Sequence, residues 1–195
     1  YHKMNPTKGE IEGGVMPGDE AGVFETEFGR VGMAICFDLN FRNIMEGLRE
    51  NGAEVVFFCS AYRGGLQLRW WAVECGYYVV SAIRSDLGQI IDLTGRQLEL
   101  STYVALVTHR INLNRRLLHM DYNWGKMDEM LEKYGADLSF DYVTQEARYA
   151  IGSERQGLDI EDVIDEFGLL RLQDYWRDAN EVRAQAEKLN SEGMS

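Results

Sequence analysis

The sequence predicts an α/β domain followed by an acidic, helical extension, and three observations lead to this prediction. The runs "VGMAIC" (residues 31–36) and "EVVFFCSA" (residues 54–61) are apolar on both faces, which is typical of strands buried between layers. The segments "RNIMEGLRENGA" (residues 42–53) and "QLRWWAVECG" (residues 67–76) have apolar residues at helical spacing and terminate at glycine. Beyond about residue 123, helical periodicity with a charged outer face predominates.

The remaining elements follow from turn residues and short apolar runs. Residues 1–20 are rich in glycine and proline and are predicted to form a loop. Residues 22–37 predict two short strands joined by a turn at residues 28–30. Further strands are predicted at "YYVVSAI" (residues 77–83), on both sides of a Thr94-Gly95 turn in "GQIIDLTGRQLEL" (residues 88–100), and at "TYVALVTHRINL" (residues 102–113). Strands that alternate with helices indicate a layered α/β domain.

Composition limits the classes of partner. A chain of 195 residues that is 45% hydrophobic can form one domain with a substantial core. The formal net charge of -12 argues against nucleic acid and anionic membrane surfaces as partners. Most of this charge lies in residues 120–195, which contain 18 acidic and 8 basic side chains. No apolar run reaches the length of a membrane span.

The cysteines indicate a reducing compartment. Cys36, Cys59 and Cys75 are three residues without a metal-like pair, so we expect reduced thiols, a cytoplasmic protein, and no metal or other cofactor. Cys59 ends an apolar strand with no other chemistry around it, and Cys75 lies at the end of a helix beside glycine. We therefore expect both to be packing residues.

Cys36 has a different setting, because the apolar strand that it ends turns polar at once, with Asp38 and Asn40. In layered α/β folds, ligands bind at the carboxyl ends of strands. The position alone still leaves open an ordinary buried cysteine, which is common in cores. The spacing from Cys36 to Arg42 is also that of cysteine-dependent phosphatases. However, the bulky residues between them and the carboxylate of Asp38 disfavour phosphate binding.

Several motifs together resemble the carbon–nitrogen hydrolase (nitrilase/amidase) superfamily. "YHKMNPTKGEIEGG" matches its lysine motif of the type Y-x-K-x-x-P-T, and "GRVGMAICFDLNF" contains its nucleophile motif G-x-x-I-C-x-D-x-x-F. Lys3 and Cys36 are 33 positions apart, in the order and at about the separation that the family shows. "NGAEVVFFCSAY", "WAVECGYYVVSA" and "GQIIDLTGRQL" are similar to later elements of the family, so the resemblance covers roughly residues 1–115.

The resemblance implies an α-β-β-α sandwich that is incomplete in this chain. Residues 1–122 would be the carboxyl-terminal portion of the catalytic domain, and residues 123–195 an acidic, mostly helical extension. The chain begins at Tyr1 inside a dense motif, and we expect it to be part of a longer protein without its amino-terminal part. The family places its general-base glutamate upstream of the lysine. We therefore expect the parent protein to be the enzyme and this segment alone to be inactive.

The resemblance also implies roles for individual residues. Cys36 would be the nucleophile that forms a thioester intermediate, and Lys3 would stabilise the oxyanion. Glu10 would position Lys3, although Glu12 is close enough in sequence to compete for this role. The substrate-facing turn would contain Phe37 and Asn40. Three histidines are possible bases in principle, although surface or packing roles are more common for such residues: His2, His109 and His119.

The turn after Cys36 has no cation at Leu39 or Asn40, which favours small neutral amides over carboxylate-bearing substrates. The resulting hypothesis is hydrolysis of a small amide with release of ammonia. The alternatives are a nitrilase, an N-carbamoyl amidohydrolase, or a non-catalytic binding or assembly protein on the same sandwich. The expected partners are a small amide or nitrile and further copies of the chain, as a homodimer or larger homo-oligomer. The segment 159–178 would either pack on its own domain or cross a subunit interface.

Overall fold

The computed structural model of the chain forms two compact units, Tyr1–Leu113 and Asn114–Ser195. It describes residues 1–84, 87–103, 106–143 and 147–193. A strand at Arg115–His119 pairs within the second unit.

The first unit is built on a mixed sheet of six strands among the described residues, in the spatial order β1-β2-β3-β4-β5-β6. Strands β2, β3 and β4 are parallel, whereas β1, β5 and β6 run antiparallel to their neighbours. The strands are β1 (Val23–Thr26), β2 (Gly29–Ile35), β3 (Val55–Ser60), β4 (Tyr78–Ile83), β5 (Gln89–Ile91) and β6 (Gln97–Leu100). The helices are α1 (Lys8–Glu12), α2 (Arg42–Glu50) and α3 (Gly65–Cys75).

Helices α2 and α3 cover one face of this sheet. Ile44, Met45 and Leu48 are all fully buried on α2, as their helical spacing predicts. They pack with Leu68 and Trp71 of α3 and with the inward side chains of the strands, which are Ala34, Val56, Phe58, Val79 and Ile91. This cluster is the core that holds the carboxyl ends of the parallel strands in place.

The opposite face of the sheet is also apolar. Met33, Phe57 and Val80 occupy matching positions on three adjacent strands and are half-buried. One step further along the strands, Cys59 and Ala82 are exposed. One sheet with one helical layer gives two layers of the predicted four-layer sandwich. The prediction of an incomplete α/β sandwich is therefore confirmed.

Two local predictions in the first unit need correction. The first hairpin turns at residues 27 and 28, and Gly29 already belongs to β2, where its φ of +137° suits glycine. The strand predicted at residues 102–113 is not seen in the described part of that segment. Residues 104 and 105 of this prediction lie outside the described residues.

The second unit contains a three-stranded antiparallel sheet, in the order β7-β9-β8 within the described residues. Its strands are β7 (Arg115–His119), β8 (Leu138–Val143) and β9 (Arg148–Ser153), and its helices are α4 (Met127–Tyr134), α5 (Ile160–Glu166) and α6 (Leu172–Gly193). Ile160, Val163 and Ile164 of α5 are buried against Tyr149 and Ile151 of the sheet. The apolar face of α5 thus packs within its own unit.

The extension is less helical than its sequence suggested. Strands β8 and β9 lie where no strand was predicted, between two helical segments. The predicted helical stretch at residues 159–189 is also interrupted, because α5 ends at Glu166 and Gly168 adopts a φ of +55° before α6 begins. Within the described ranges, no helix is long and apolar enough to cross a bilayer.

Candidate functional site

Cys36 is the first residue of a 3-10 helical turn, Cys36–Asn40, that directly follows β2. Its φ of +50° is a left-handed conformation, which costs a non-glycine residue about 1–3 kcal/mol and is frequent at functional sites. The residue is half-buried, and its carbonyl oxygen accepts a 2.7 Å hydrogen bond from the Tyr62 hydroxyl. Cys36 is therefore held in a defined turn at the edge of the sheet where the parallel strands end.

Lys3 and Glu10 form an ion pair, with 2.6 Å between Lys3 Nζ and Glu10 Oε2. The Lys3 side chain is only 10% exposed, whereas that of Glu10 is 42% exposed. The hydrogen bond from Lys3, followed by that from the Thr7 backbone, lowers the pKa of the Glu10 carboxyl from its ordinary value. The lysine ammonium is thus covered by protein and has an ionised partner.

The local sequence explains why Glu10 faces Lys3. Thr7 is the N-cap of α1, and its hydroxyl accepts the Glu10 N–H at 3.3 Å. Glu10 Oε2 in turn accepts the Thr7 N–H at 2.6 Å, which completes a capping box. The same carboxylate oxygen binds Lys3, so the cap of a short helix also orients the lysine.

Glu12, the other candidate for this role, faces elsewhere. It pairs with Lys8 at 3.6 Å, and the two side chains are 65% and 90% exposed. Such a solvated pair contributes little to stability. Glu10, and not Glu12, is therefore the glutamate that contacts Lys3.

Asp38 connects the loop of Lys3 to the turn of Cys36. Its side chain is fully buried. One carboxylate oxygen accepts the Tyr1 hydroxyl at 2.7 Å and the Ile35 N–H at 3.0 Å, and the other accepts the Asn5 N–H at 2.7 Å. Tyr1 and Asn5 flank Lys3 by two residues on each side, and Asp38 follows Cys36 by two residues. The two predicted catalytic segments are therefore joined through one carboxylate.

The loop of Lys3 is also closed on itself. The Gly18 N–H donates to the Lys3 carbonyl at 2.8 Å. A Cβ atom at Gly18 would lie 2.4 Å from the His2 carbonyl oxygen, so this close approach requires glycine. The backbone on either side of the lysine is consequently fixed by several contacts.

Phe37 and Asn40 lie in the turn that Cys36 begins. Phe37 is half-buried, and its ring meets that of Phe41 edge to face, with 5.3 Å between centroids. Asn40 is exposed; its amide donates to the Phe37 carbonyl at 3.1 Å, and its oxygen accepts from Gln67 at 3.4 Å. Asn40 thus closes the turn in this structure.

The other two cysteines differ from each other. Cys75 is buried, and burial raises the pKa of its thiol to about 12, so its predicted packing role is confirmed. Cys59 is exposed on β3, and its predicted packing role is wrong. The apolar run around Cys59 suggested burial on both faces, whereas α2 and α3 cover one face of this sheet.

His109 and His119 each contact a residue other than the predicted catalytic residues, and His2 is exposed. His109 Nδ1 lies 3.1 Å from Glu99 Oε1. His119, in the second unit, stacks on Tyr175 with 3.8 Å between ring centroids, and burial lowers its pKa. His2 is exposed at a small pocket of about 190 Å³ beside Tyr1.

Sequence reasoning missed the contacts that organise the site. Tyr1, Asn5 and Asp38 all lie inside the quoted motifs, but spacing gave no sign that their side chains and N–H groups meet. Tyr62 follows the next strand, and its hydrogen bond to Cys36 depends on the parallel pairing of β2 and β3. The signal that could have identified Asp38 is its acidic character directly after a buried strand.

Comparison with known proteins gives short and partial matches. Over 46 residues, the chain is 39% identical to a deaminated glutathione amidase of Yersinia enterocolitica, covering 24% of this chain and 16% of that protein. Over 74 residues, it is 34% identical to the probable hydrolase YhcX of Bacillus subtilis, covering 34% of this chain and 14% of that protein. The aligned regions are thus a small part of these relatives.

Solved structures also match in part. An amidase from Nesterenkonia sp. is 19% identical and matches with a TM-score of 0.45, over 50% of this chain and 43% of that chain. A Saccharomyces cerevisiae protein described as a member of branch 10 of the nitrilase superfamily is 21% identical, with a TM-score of 0.40, over 44% of this chain and 38% of that chain. The match therefore spans less than half the length of either structure.

The match to a family model is more extensive. The carbon–nitrogen hydrolase model aligns with residues 1–110, which include Lys3, Glu10 and Cys36 and make up more than half of the chain. Members of this family are hydrolases that act on carbon–nitrogen bonds. On this evidence, the chain belongs to the carbon–nitrogen hydrolase family.

Proposed function

We propose that the protein to which this chain belongs hydrolyses a small amide and releases ammonia. In this proposal Cys36 is the nucleophile, Lys3 stabilises the oxyanion, and Glu10 holds Lys3 in place. The contact that supports this proposal best is the 2.6 Å ion pair between Lys3 and Glu10, because a largely buried ammonium is costly unless it is paired with an opposite charge. Its loop is bound to the Cys36 turn through Asp38.

The proposed reaction has two steps. The Cys36 sulfur attacks the amide carbon, a C–S bond forms, and the negative charge on the oxygen is stabilised by the Lys3 ammonium. The C–N bond then breaks, and the nitrogen leaves as ammonia after it takes up a proton. Water attacks the resulting thioester, which releases a carboxylic acid and restores the thiol. Oxyanion stabilisation of this kind contributes about 3–4 kcal/mol to catalysis.

The proposal applies to the whole protein. By resemblance, the glutamate that accepts the thiol proton and activates water is expected upstream of Lys3. We therefore expect this chain alone to give no turnover. A homodimer or larger homo-oligomer and a cytoplasmic location are further parts of the proposal.

The turn after Cys36 supports small neutral amides as substrates. In this proposal Phe37 and Asn40 line the substrate site, and the sequence from Phe37 to Phe41 contains no cationic side chain. Arg42 is the first cation beyond this turn, and it pairs with Glu46 at 2.7 Å while 66% exposed. A carboxylate-bearing substrate would find no free cation in the turn itself.

The test is ammonia release by the whole protein from small aliphatic amides, with the matching nitriles and N-carbamoyl amino acids as comparison substrates. We expect turnover of the amides and, after rapid acid quenching, an acyl group on the peptide that contains Cys36. Turnover without such an adduct, or a preference for nitriles or carbamoyl compounds, would refute the proposal. This chain alone serves as the negative control.

A further inference from the structure

Asp38 is a fully buried carboxylate whose described donors are neutral groups. It accepts hydrogen bonds from the Tyr1 hydroxyl, the Ile35 N–H and the Asn5 N–H at 2.7, 3.0 and 2.7 Å, and a longer one from the Asn5 side chain at 3.4 Å. Burial of a carboxylate is costly unless such donors compensate for lost water. Apolar side chains would close a turn at a lower free-energy cost than a buried carboxylate does. The positions of the donors therefore indicate what Asp38 does.

The donors come from two segments of the chain. Ile35 lies at the end of β2, next to Cys36, whereas Tyr1 and Asn5 lie on both sides of Lys3. Two contacts that flank a residue fix the position of its backbone, and the Glu10 carboxylate fixes the ammonium at the other end of the side chain. The place of Lys3 relative to Cys36 is therefore set by Asp38 on one side and by Glu10 on the other.

We propose that Asp38 is a positioning residue, which holds the Lys3 loop against the Cys36 turn so that the ammonium faces the reacting carbon. This inference rests on the proposed function. Asp38 itself touches no reacting atom; it acts through Lys3. Burial and the hydrogen bond to Asp38 raise the pKa of the Tyr1 phenol, so this donor stays protonated at neutral pH.

The first experiment measures kcat and KM of the whole protein for Asp38→Asn, Lys3→Met and the double variant. Asparagine keeps one acceptor oxygen but places an NH₂ group against the Ile35 N–H, so the turn and the loop should separate. We expect kcat of Asp38→Asn to fall about 10–100-fold, because a small displacement of a catalytic group lowers the rate strongly, with KM changed less than about threefold. Because Asp38 acts through Lys3, the double variant should lie within about threefold of Lys3→Met alone.

Asp92 provides a matched control. It is also a fully buried carboxylate of the first unit, and it accepts hydrogen bonds from the N–H groups of Thr94 and Arg96 at 2.9 and 3.0 Å; unlike Asp38, it also lies 3.3 Å from a guanidinium, that of Arg96. Asp92→Asn should lower stability, but it should leave kcat within about twofold. If the separate losses of kcat caused by Asp38→Asn and Lys3→Met instead multiply in the double variant, Asp38 has a merely structural role and the inference is wrong.

A second measurement does not depend on activity. A short amine-to-thiol crosslinker, applied to the whole protein with Cys59→Ser, should join Lys3 to Cys36, as read by mass spectrometry of the linked peptides. The link should be lost in Asp38→Asn, reduced in Tyr1→Phe and kept in Asp92→Asn. A link that survives Asp38→Asn in a folded protein overturns the inference and leaves the proposed function standing.

The two proposals can fail separately. If Lys3→Met leaves kcat unchanged, the proposed role of the lysine is wrong, and the positioning role of Asp38 is wrong with it. If Lys3→Met abolishes turnover but Asp38→Asn is as active as Asp92→Asn, only the positioning role is refuted.

Discussion

The carboxyl ends of β2 and β3 lie side by side, and both carry a cysteine. Ile35, next to Cys36, pairs in register with Cys59. At the end of β2 the chain adopts a left-handed φ at Cys36 and enters a turn held by the buried Asp38. At the end of β3, Cys59 is exposed, and the turn has a weaker side-chain contact, in which Ser60 Oγ accepts the Tyr62 N–H at 3.0 Å.

This comparison shows that position at a strand end is not sufficient to make a site. Both strand ends have an apolar strand, a thiol and a following helix. The β2 end differs because a second segment, with an ion-paired lysine, is hydrogen-bonded to its turn. A reactive thiol needs charges and donors arranged around it, and these come from distant parts of the sequence.

The sharpest test of this difference is loss of each thiol in turn. In the whole protein, Cys36→Ser should lower kcat/KM for amide hydrolysis about 10³-fold or more, because the covalent step is lost. Cys59→Ser should lower kcat/KM far less than Cys36→Ser does, by less than about tenfold, because Cys59 lies outside the proposed machinery. Similar losses for both variants would contradict the distinction between the two strand ends.

The second test compares the side chains that hold the two turns. Asp38→Ala removes the acceptor of the Ile35 and Asn5 N–H groups, and an unpartnered buried donor costs about 1–3 kcal/mol. We expect the free energy of unfolding of this chain to fall by about 3 kcal/mol. Ser60→Ala removes one exposed contact and should cost about 0.5 kcal/mol.

Urea denaturation followed by far-UV circular dichroism and intrinsic fluorescence would measure both values. Equal costs for the two variants would show that the buried carboxylate contributes no more to its turn than an exposed hydroxyl does. The slope of the unfolding free energy against urea concentration, the m value, depends on the surface exposed on unfolding. The variants can be compared when their m values are unchanged.

Sequence patterns predicted the first unit better than the second, for physical reasons. In the first unit, buried parallel strands and amphipathic helices have strong periodicities, and Ile44, Met45 and Leu48 are buried as their spacing predicts. In the second unit, β8 has the sequence LSFDYV, whose alternation is confined to one short segment between helical stretches, and β9 has no clear alternation, so the helical periodicity around them dominates the prediction. The prediction that Cys59 is a packing residue is wrong because helices cover only one face of its apolar strand, and Cys59 is on the other face.

For the site, the motifs supplied the residues but not their contacts. The pair between Lys3 and Glu10 could be expected from seven-residue spacing only with the help of the family pattern. Tyr1 and Asn5 donate hydrogen bonds to Asp38, which lies 37 and 33 positions further along the chain. No local sequence pattern encodes contacts over such separations. Local propensity determines elements, whereas tertiary pairing determines which side chains meet.

A third test concerns the contact between the two turns. The Tyr62 hydroxyl donates to the Cys36 carbonyl, and Tyr62→Phe removes this bond. The expected loss of stability is about 1 kcal/mol, typical of one neutral hydrogen bond. Burial, followed by the charge of a Cys36 thiolate, raises the pKa of Tyr62.

The raised pKa gives this contact a pH dependence. A phenol with a raised folded-state pKa contributes stability that is fully present below its unfolded pKa of about 10 and is lost as the pH rises through the folded value. The difference between wild type and Tyr62→Phe in urea denaturation should therefore be constant from pH 6 to about pH 9 and shrink above about pH 10. A difference that grows with alkaline pH would contradict the assigned bond.

The smallest expected effect concerns the loop that distinguishes the β2 end. Because Lys3 holds the pKa of Glu10 below its ordinary value, Lys3→Met should raise that pKa, as measured by carbon NMR of the side-chain carboxyl. Lys8→Met, which removes the exposed partner of Glu12, should leave the pKa of Glu10 unchanged. The stability from a carboxyl with a lowered pKa is present above its unfolded value of about 4.3 and is lost as the pH falls through the folded value. Equal shifts in the two lysine variants would mean that Glu10 senses the net charge of the loop, and the 2.6 Å contact would not be what orients Lys3 in solution.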